Sequence, residues 1–145
     1  MKRTNKKGTK NMEAVQRVYE FLDNAKTYYL ATVEDGQPRV RVYGTSLLFE
    51  GNLYIMAFRR TNAVEQLKSN PKAKIATFNK GQQLRLTCQL TEDDRQEVRN
   101  AMAEKMPSLK DVAGERYQNF VMMKVTNATA VISQGLSEGG ETYSF

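Results

Sequence analysis

Three glycine-bearing turns set the architecture of this chain: Asp35-Gly36, Glu50-Gly51-Asn52 and Asn79-Lys80-Gly81. The segments beside them alternate. Arg39-Val40-Arg41-Val42-Tyr43 places a β-branched residue at every second position, and Gln83-Leu84-Arg85-Leu86-Thr87-Cys88-Gln89-Leu90 sustains the same period. A two-residue period puts one set of side chains on each face of a strand, and an Asp-Gly pair between two such runs closes a tight hairpin. The pattern predicts consecutive antiparallel hairpins. Strands so numerous in a short chain favour closure into a barrel, which leaves few exposed edges.

Strands are expected at 28–33, 38–45, 46–50, 53–58, 73–78, 83–90 and 120–132, the last bent near Asn127, with a short edge strand at 141–145. The count is six or seven, in a mainly β fold with three helices as plugs or flanks. Val15, Val18, Tyr19 and Leu22 recur at helical spacing, which predicts a helix over 12–24. Asn62 with Glu65 has the spacing of a reciprocal cap, and Asn70-Pro71 stops the helix that follows. Thr91 with Asp94 reads as the cap of a third helix to about Met106, and 107–117 as short helical pieces and loop. Met122 and Met123 fall in a strand pattern, as core and interface packing.

At 145 residues, the chain makes one domain with a core that needs no staples. No apolar run reaches membrane-spanning length, no apolar segment follows the basic N-terminus, and one cysteine allows no internal disulfide; the cytoplasm is the expected location. The net charge of +6 suggests nucleic acid until its distribution is considered. Lys2, Arg3, Lys6, Lys7 and Lys10 precede the first acid, leaving 17 basic residues against 16 acidic ones. The excess belongs to residues 1–11, expected as a disordered basic tail before a domain over 12–145. A nucleic-acid-binding barrel using that tail ranks below the other readings. With no histidine, Ser-His-Asp and Cys-His catalysis are excluded, and with one cysteine no metal site is expected. Any redox chemistry then falls to a bound cofactor. Cys88, mid-strand with no neighbouring base, reads as a small core residue.

One stretch, 39–62, concentrates fixed cations. Arg39 and Arg41 lie on a strand, and Arg59-Arg60-Thr61-Asn62 leads into a helix start. A cationic strand face beside free helical N–H groups holds anions such as phosphate. The same arginines also read as a solvated strand face and a short charge run, and Tyr43 as barrel packing.

Gly36-Gln37-Pro38-Arg39-Val40-Arg41-Val42-Tyr43-Gly44, then Glu50-Gly51-Asn52-Leu53-Tyr54, then Gln66-Leu67-Lys68-Ser69-Asn70-Pro71 resembles the pyridoxamine 5′-phosphate oxidase-like family over nearly the whole chain from Met12. That resemblance implies an FMN-binding split β-barrel, a homodimer and a cofactor at the subunit interface. It implies Arg41 facing FMN, with Val42, Tyr43, Gly44, Thr45 and Ser46 following along the flavin, and Met56 and Ala57 bordering it. It implies flavin phosphate near Arg59, Arg60, Thr61 and Asn62, and Gln83 reaching toward the ring. The true vitamin oxidases carry tryptophan, arginine and histidine in a C-terminal segment, whereas this chain ends Tyr143-Ser144-Phe145 and has no tryptophan or histidine. The smaller, general flavin-binding branch is the closer likeness. The expected activity is an FMN-dependent oxidoreductase using NAD(P)H, with no membrane partner. The alternative is a non-enzymatic carrier or sensor of flavin, deazaflavin or haem.

Overall fold

A computed structural model describes residues 2–59, 61–113 and 119–145. The element order is α1 Lys2–Ala25, β1 Tyr28–Glu34, β2 Gln37–Tyr43, β3 Leu47–Phe49, β4 Asn52–Phe58, α2 Asn62–Ser69, β5 Lys72–Asn79, β6 Gln82–Glu92, α3 Gln96–Lys105, α4 Leu109–Ala113, β7 Phe120–Gln134 and β8 Glu141–Ser144. Among the described residues there are eight strands rather than six or seven. The addition comes from β8, whose four residues pair antiparallel with Thr129–Ile132 of β7. The three turns close their hairpins as expected: Asp35 and Gly36 have φ of 49° and 78°, and Lys80 and Gly81 have 50° and 76°. Both central residues are left-handed, the geometry that matches the twist of paired strands.

The sheet order is β2-β1-β5-β6-β7-β4-β3, all antiparallel. Strand β7 gives one edge to β6 and divides the other between β4, on Phe120–Lys124, and β8, on Thr129–Ile132. It serves both because it changes face at a bulge. Thr126 and Thr129 stand opposite Gln89 and Thr87, and Asn127 takes the extra position at φ 47°. Before the bulge Val121, Met123 and Val125 point inward; after it Ala128, Ala130 and Ile132 do. The bend near Asn127 is that bulge.

Leu30 of β1 and Ile55 of β4, far apart along the sheet, belong to one core with Ile75, Leu84, Leu86 and Leu90. The sheet has therefore curled into a split barrel, with β2 and β3 as its two ends. Helix α1 contributes Val15, Val18 and Leu22 to this core, and α2 contributes Val64 and Leu67. A second core lies outside the barrel, where Val98 and Met102 of α3 cover Tyr54, Met56 and Met122. Both faces of β4 are therefore buried.

Three local expectations are corrected. The first helix runs back to Lys2, through the stretch expected as a tail. Thr61, not Asn62, is the N-cap of α2, and no side chain caps it; Thr61 Oγ1 instead donates to the Phe58 carbonyl at 2.6 Å. Thr91 caps no helix, because its backbone is held in the β6–β7 ladder opposite Lys124, and α3 starts only at Gln96. Long-range pairing outweighs a local cap there. No described helix is long and apolar enough to cross a membrane.

Candidate functional site

A cleft of about 440 Å³ opens where the two ends of the sheet meet. Its walls are Arg41, Val42 and Tyr43 from the end of β2, Gly44 and Thr45 from the connection to β3, Met56 and Phe58 from β4, and Thr61, Asn62 and Ala63 at the start of α2. Eight residues expected at a cofactor site, Arg41, Val42, Tyr43, Gly44, Thr45, Met56, Thr61 and Asn62, thus share one cleft.

The connection from β2 to β3 has no ladder of its own and is held by side chains. The buried Tyr28 hydroxyl donates to the Thr45 carbonyl at 2.7 Å, and the Met56 N–H donates to Thr45 Oγ1 at 2.9 Å. From outside, Lys105 Nζ donates to the Ser46 carbonyl at 2.5 Å while pairing with Asp23 at 2.8 Å. Burial pushes both the Tyr28 and Tyr43 phenols upward, so both stay protonated at neutral pH. Tyr43 packs edge-on against Tyr28 with ring centroids 6.2 Å apart, so it serves barrel packing as well as the cleft.

Arg41 is set by neutral partners. Its Nη1 donates to Thr32 Oγ1 at 2.8 Å and its Nη2 to Gln66 Oε1 at 3.1 Å. Thr32 Oγ1 also donates to Gln66 Oε1, and Gln66 Nε2 donates to Glu34 at 2.8 Å. Glu34 is in turn paired with Arg39 at 3.3 Å. Among the described residues no ion pair to Arg41 is found, and Arg41 lines the cleft together with the uncapped start of α2. One end of the cleft therefore offers a fixed cation and helical N–H groups, and Val42, Met56 and Phe58 give it apolar walls. That suits an anionic group joined to a flat apolar body.

The other expected residues lie elsewhere. Ala57 alternates with Met56 and Phe58 on β4 and so faces the barrel core, 1% exposed. Arg59 turns to Glu92, at 2.6 Å, and Asp94, at 3.7 Å, which neutralise it. Gln83 sits at the start of β6 opposite Phe78 and donates to the Ser137 carbonyl at 3.4 Å. Arg60 lies outside the described residues. Cys88 is core, its thiol pushed up to about 12 by burial. Phe58 and Ala63 were missed as lining residues, although Phe58 shares the face of Met56. Gln66 was missed as well; a polar residue one turn after Ala63, among the buried Val64 and Leu67, was the available signal.

The pyridoxamine 5′-phosphate oxidase family model matches residues 14–131. Among solved structures, the chain is 34% identical to a NimC/NimA family protein from Clostridium acetobutylicum, with a TM-score of 0.86, covering 95% of this chain and 96% of that one. A FAD-binding protein from Mesorhizobium loti shares the fold at 16% identity and a TM-score of 0.61, over 79% of this chain and 91% of that one. The haem storage protein HutZ from Vibrio cholerae does so at 19% and 0.62, over 83% and 96%. No curated protein sequence matches. With the split barrel, the cleft at its seam and a family match over most of its length, the chain belongs to the pyridoxamine 5′-phosphate oxidase-like family.

Proposed function

We propose that the chain binds FMN in the cleft at the barrel split and works as a flavin-dependent oxidoreductase. The observation that carries this reading is the union, at one end of one cleft, of Arg41, held by the neutral Thr32 and Gln66, with the uncapped N-terminus of α2. A phosphate is the anion such an end favours, through charge-assisted bonds from arginine and the helix dipole. Val42, Met56 and Phe58 offer apolar walls for the flat ring system. When bound, FMN supplies the redox chemistry, accepting reducing equivalents from NAD(P)H and passing them to a substrate. The chain's own residues bind and orient it. Arg41, Thr61, Asn62 and Ala63 hold the phosphate end, and the Tyr28 and Lys105 bonds fix the segment Gly44–Ser46 against which the cofactor rests.

The proposal includes a homodimer. Tyr29, Val33, Val40, Val42 and Phe78 are all exposed, by 41% or more, on the outer face of β1, β2 and β5. Apolar side chains on neighbouring strands of one face mark an association surface. Gln83, which lies outside the cleft of its own chain, would then belong to the wall a second copy supplies.

A visible absorption spectrum of natively purified protein, followed by titration of the apoprotein with FMN, tests the reading. A flavin spectrum and saturable binding support it; a colourless protein without FMN affinity overturns it. The lining residues also favour a second reading, a flavin carrier without turnover, since among the described ones Arg41 and Tyr43 are the only titratable side chains. Anaerobic mixing with NADH and NADPH separates the two: bleaching of the bound flavin supports the oxidoreductase, and an unchanged spectrum supports the carrier.

A further inference from the structure

We propose that Gln66 is a positioning residue that keeps Arg41 fixed toward the cleft and separated from the Glu34 carboxylate; this rests on the reading that the cleft holds a flavin phosphate. The network contains two arginines and one carboxylate. Glu34 is held by Arg39 at 3.3 Å and by Gln66 Nε2 at 2.8 Å. The opposite end of the same amide, Oε1, accepts from Arg41 at 3.1 Å and from Thr32. A neutral amide has an acceptor end and a donor end, so it can link a guanidinium to a carboxylate without neutralising either. A carboxylate at this position would pair with Arg41 and cancel its charge; an apolar side chain would leave it without an anchor.

Position supports the assignment. Gln66 is 6% exposed and Thr32 2%, so the partners that hold Arg41 are buried and the bonds are half-shielded from water, which strengthens them. Arg41 uses two of its five N–H donors on them, leaving others for a ligand. Gln66 lies one helical turn after Asn62, which lines the cleft, so one side chain couples the helix start to edge strand β2. A strand paired on one side only gains from that tie. Arg59, another cation expected for this role, is neutralised by Glu92 and Asp94 and needs no such device.

The test compares FMN with riboflavin, which lacks the phosphate, by quenching of flavin fluorescence in the full-length wild type, Gln66→Leu and Gln66→Glu. Circular dichroism and a thermal melt establish that each variant is folded. The wild type should prefer FMN. Gln66→Leu should lower that preference about tenfold, the worth of roughly one charged hydrogen bond. Gln66→Glu should lower it further, with riboflavin affinity unchanged in both. An unchanged preference in a folded variant overturns the proposal, as does an equal loss for both flavins, which marks a structural role. Should Gln66→Leu fail to fold, the near-isosteric Gln66→Glu carries the same comparison. A wild type that binds FMN no better than riboflavin refutes the phosphate reading itself, a result distinct from any variant's.

Discussion

Lys105 reaches from the last turn of α3 to the Ser46 carbonyl at 2.5 Å, behind the cleft rather than within it. The same ammonium pairs with Asp23 of α1 and lies 4.9 Å from the centre of the Tyr19 ring. One side chain therefore joins two helices to the segment that walls the cleft. Ser46 is 4% exposed, so its carbonyl has little water to turn to if the lysine is removed. Lys105→Met should cost about 1–3 kcal/mol of stability in urea denaturation. It should also weaken flavin binding, for FMN and riboflavin alike. Unaltered stability would show that Lys105 is an ordinary surface charge.

A second clasp holds the outer layer. Tyr54 donates to Asp93 at 2.8 Å, and Arg95 grips the same carboxylate through Nε at 3.0 Å while reaching Glu50 at 3.1 Å. The Arg95 guanidinium holds the Asp93 carboxyl down at about 2, below its ordinary 3.8, with a further contribution from the Tyr54 hydroxyl. A carboxyl depressed in the folded state stabilises fully above its unfolded value, and the contribution disappears as pH falls from about 4 to about 2. Asp93→Asn should flatten that part of the acid unfolding curve while leaving its upper part sloped by the remaining carboxyls. A curve parallel to the wild type's shows that the clasp carries no pH dependence.

At the β7 bulge, Asn127 holds φ 47° and donates to Gln89 Oε1 at 3.0 Å. A β-branched side chain is strained there, so Asn127→Val should cost about 1–2 kcal/mol. Asn127→Gly should be nearly neutral. Deleting the residue is a different matter: it would turn Ala128, Ala130 and Ile132 outward, and the protein should not fold. Chemical denaturation of the two point variants and expression of the deletion check all three.

Much of the fold was legible because its signals are local. Asp35-Gly36 needs only its own dihedrals to make a turn, Asn70-Pro71 ends α2 by itself, and Asn127 tolerates the left-handed region on its own account. What was not legible depends on distant partners. Thr91 and Asp94 have the spacing of a cap, yet Lys124, over 30 positions on, draws Thr91 into a ladder. Arg59 looks free until the end of β6 brings Glu92 beside it. Of the site, the β2 residues and the start of α2 could be read from the family likeness and a strand-to-helix junction. Gln66 could not, because its role exists only where β1, β2 and α2 meet.

Val42 lines the cleft and is also 63% exposed on the outer sheet face. Whatever covers that face alters a wall of the cleft, and whatever fills the cleft alters the edge of that face. In the proposed flavin-bound dimer, occupancy and self-association share a free energy, and by reciprocity each changes the other by the same factor. Sedimentation of the protein with and without FMN should show tighter association when flavin is present, and flavin affinity should fall on dilution. Val42→Lys should weaken both together. In the proposed flavin-bound dimer, protein concentration would then act through this one side chain on how much of the protein carries cofactor.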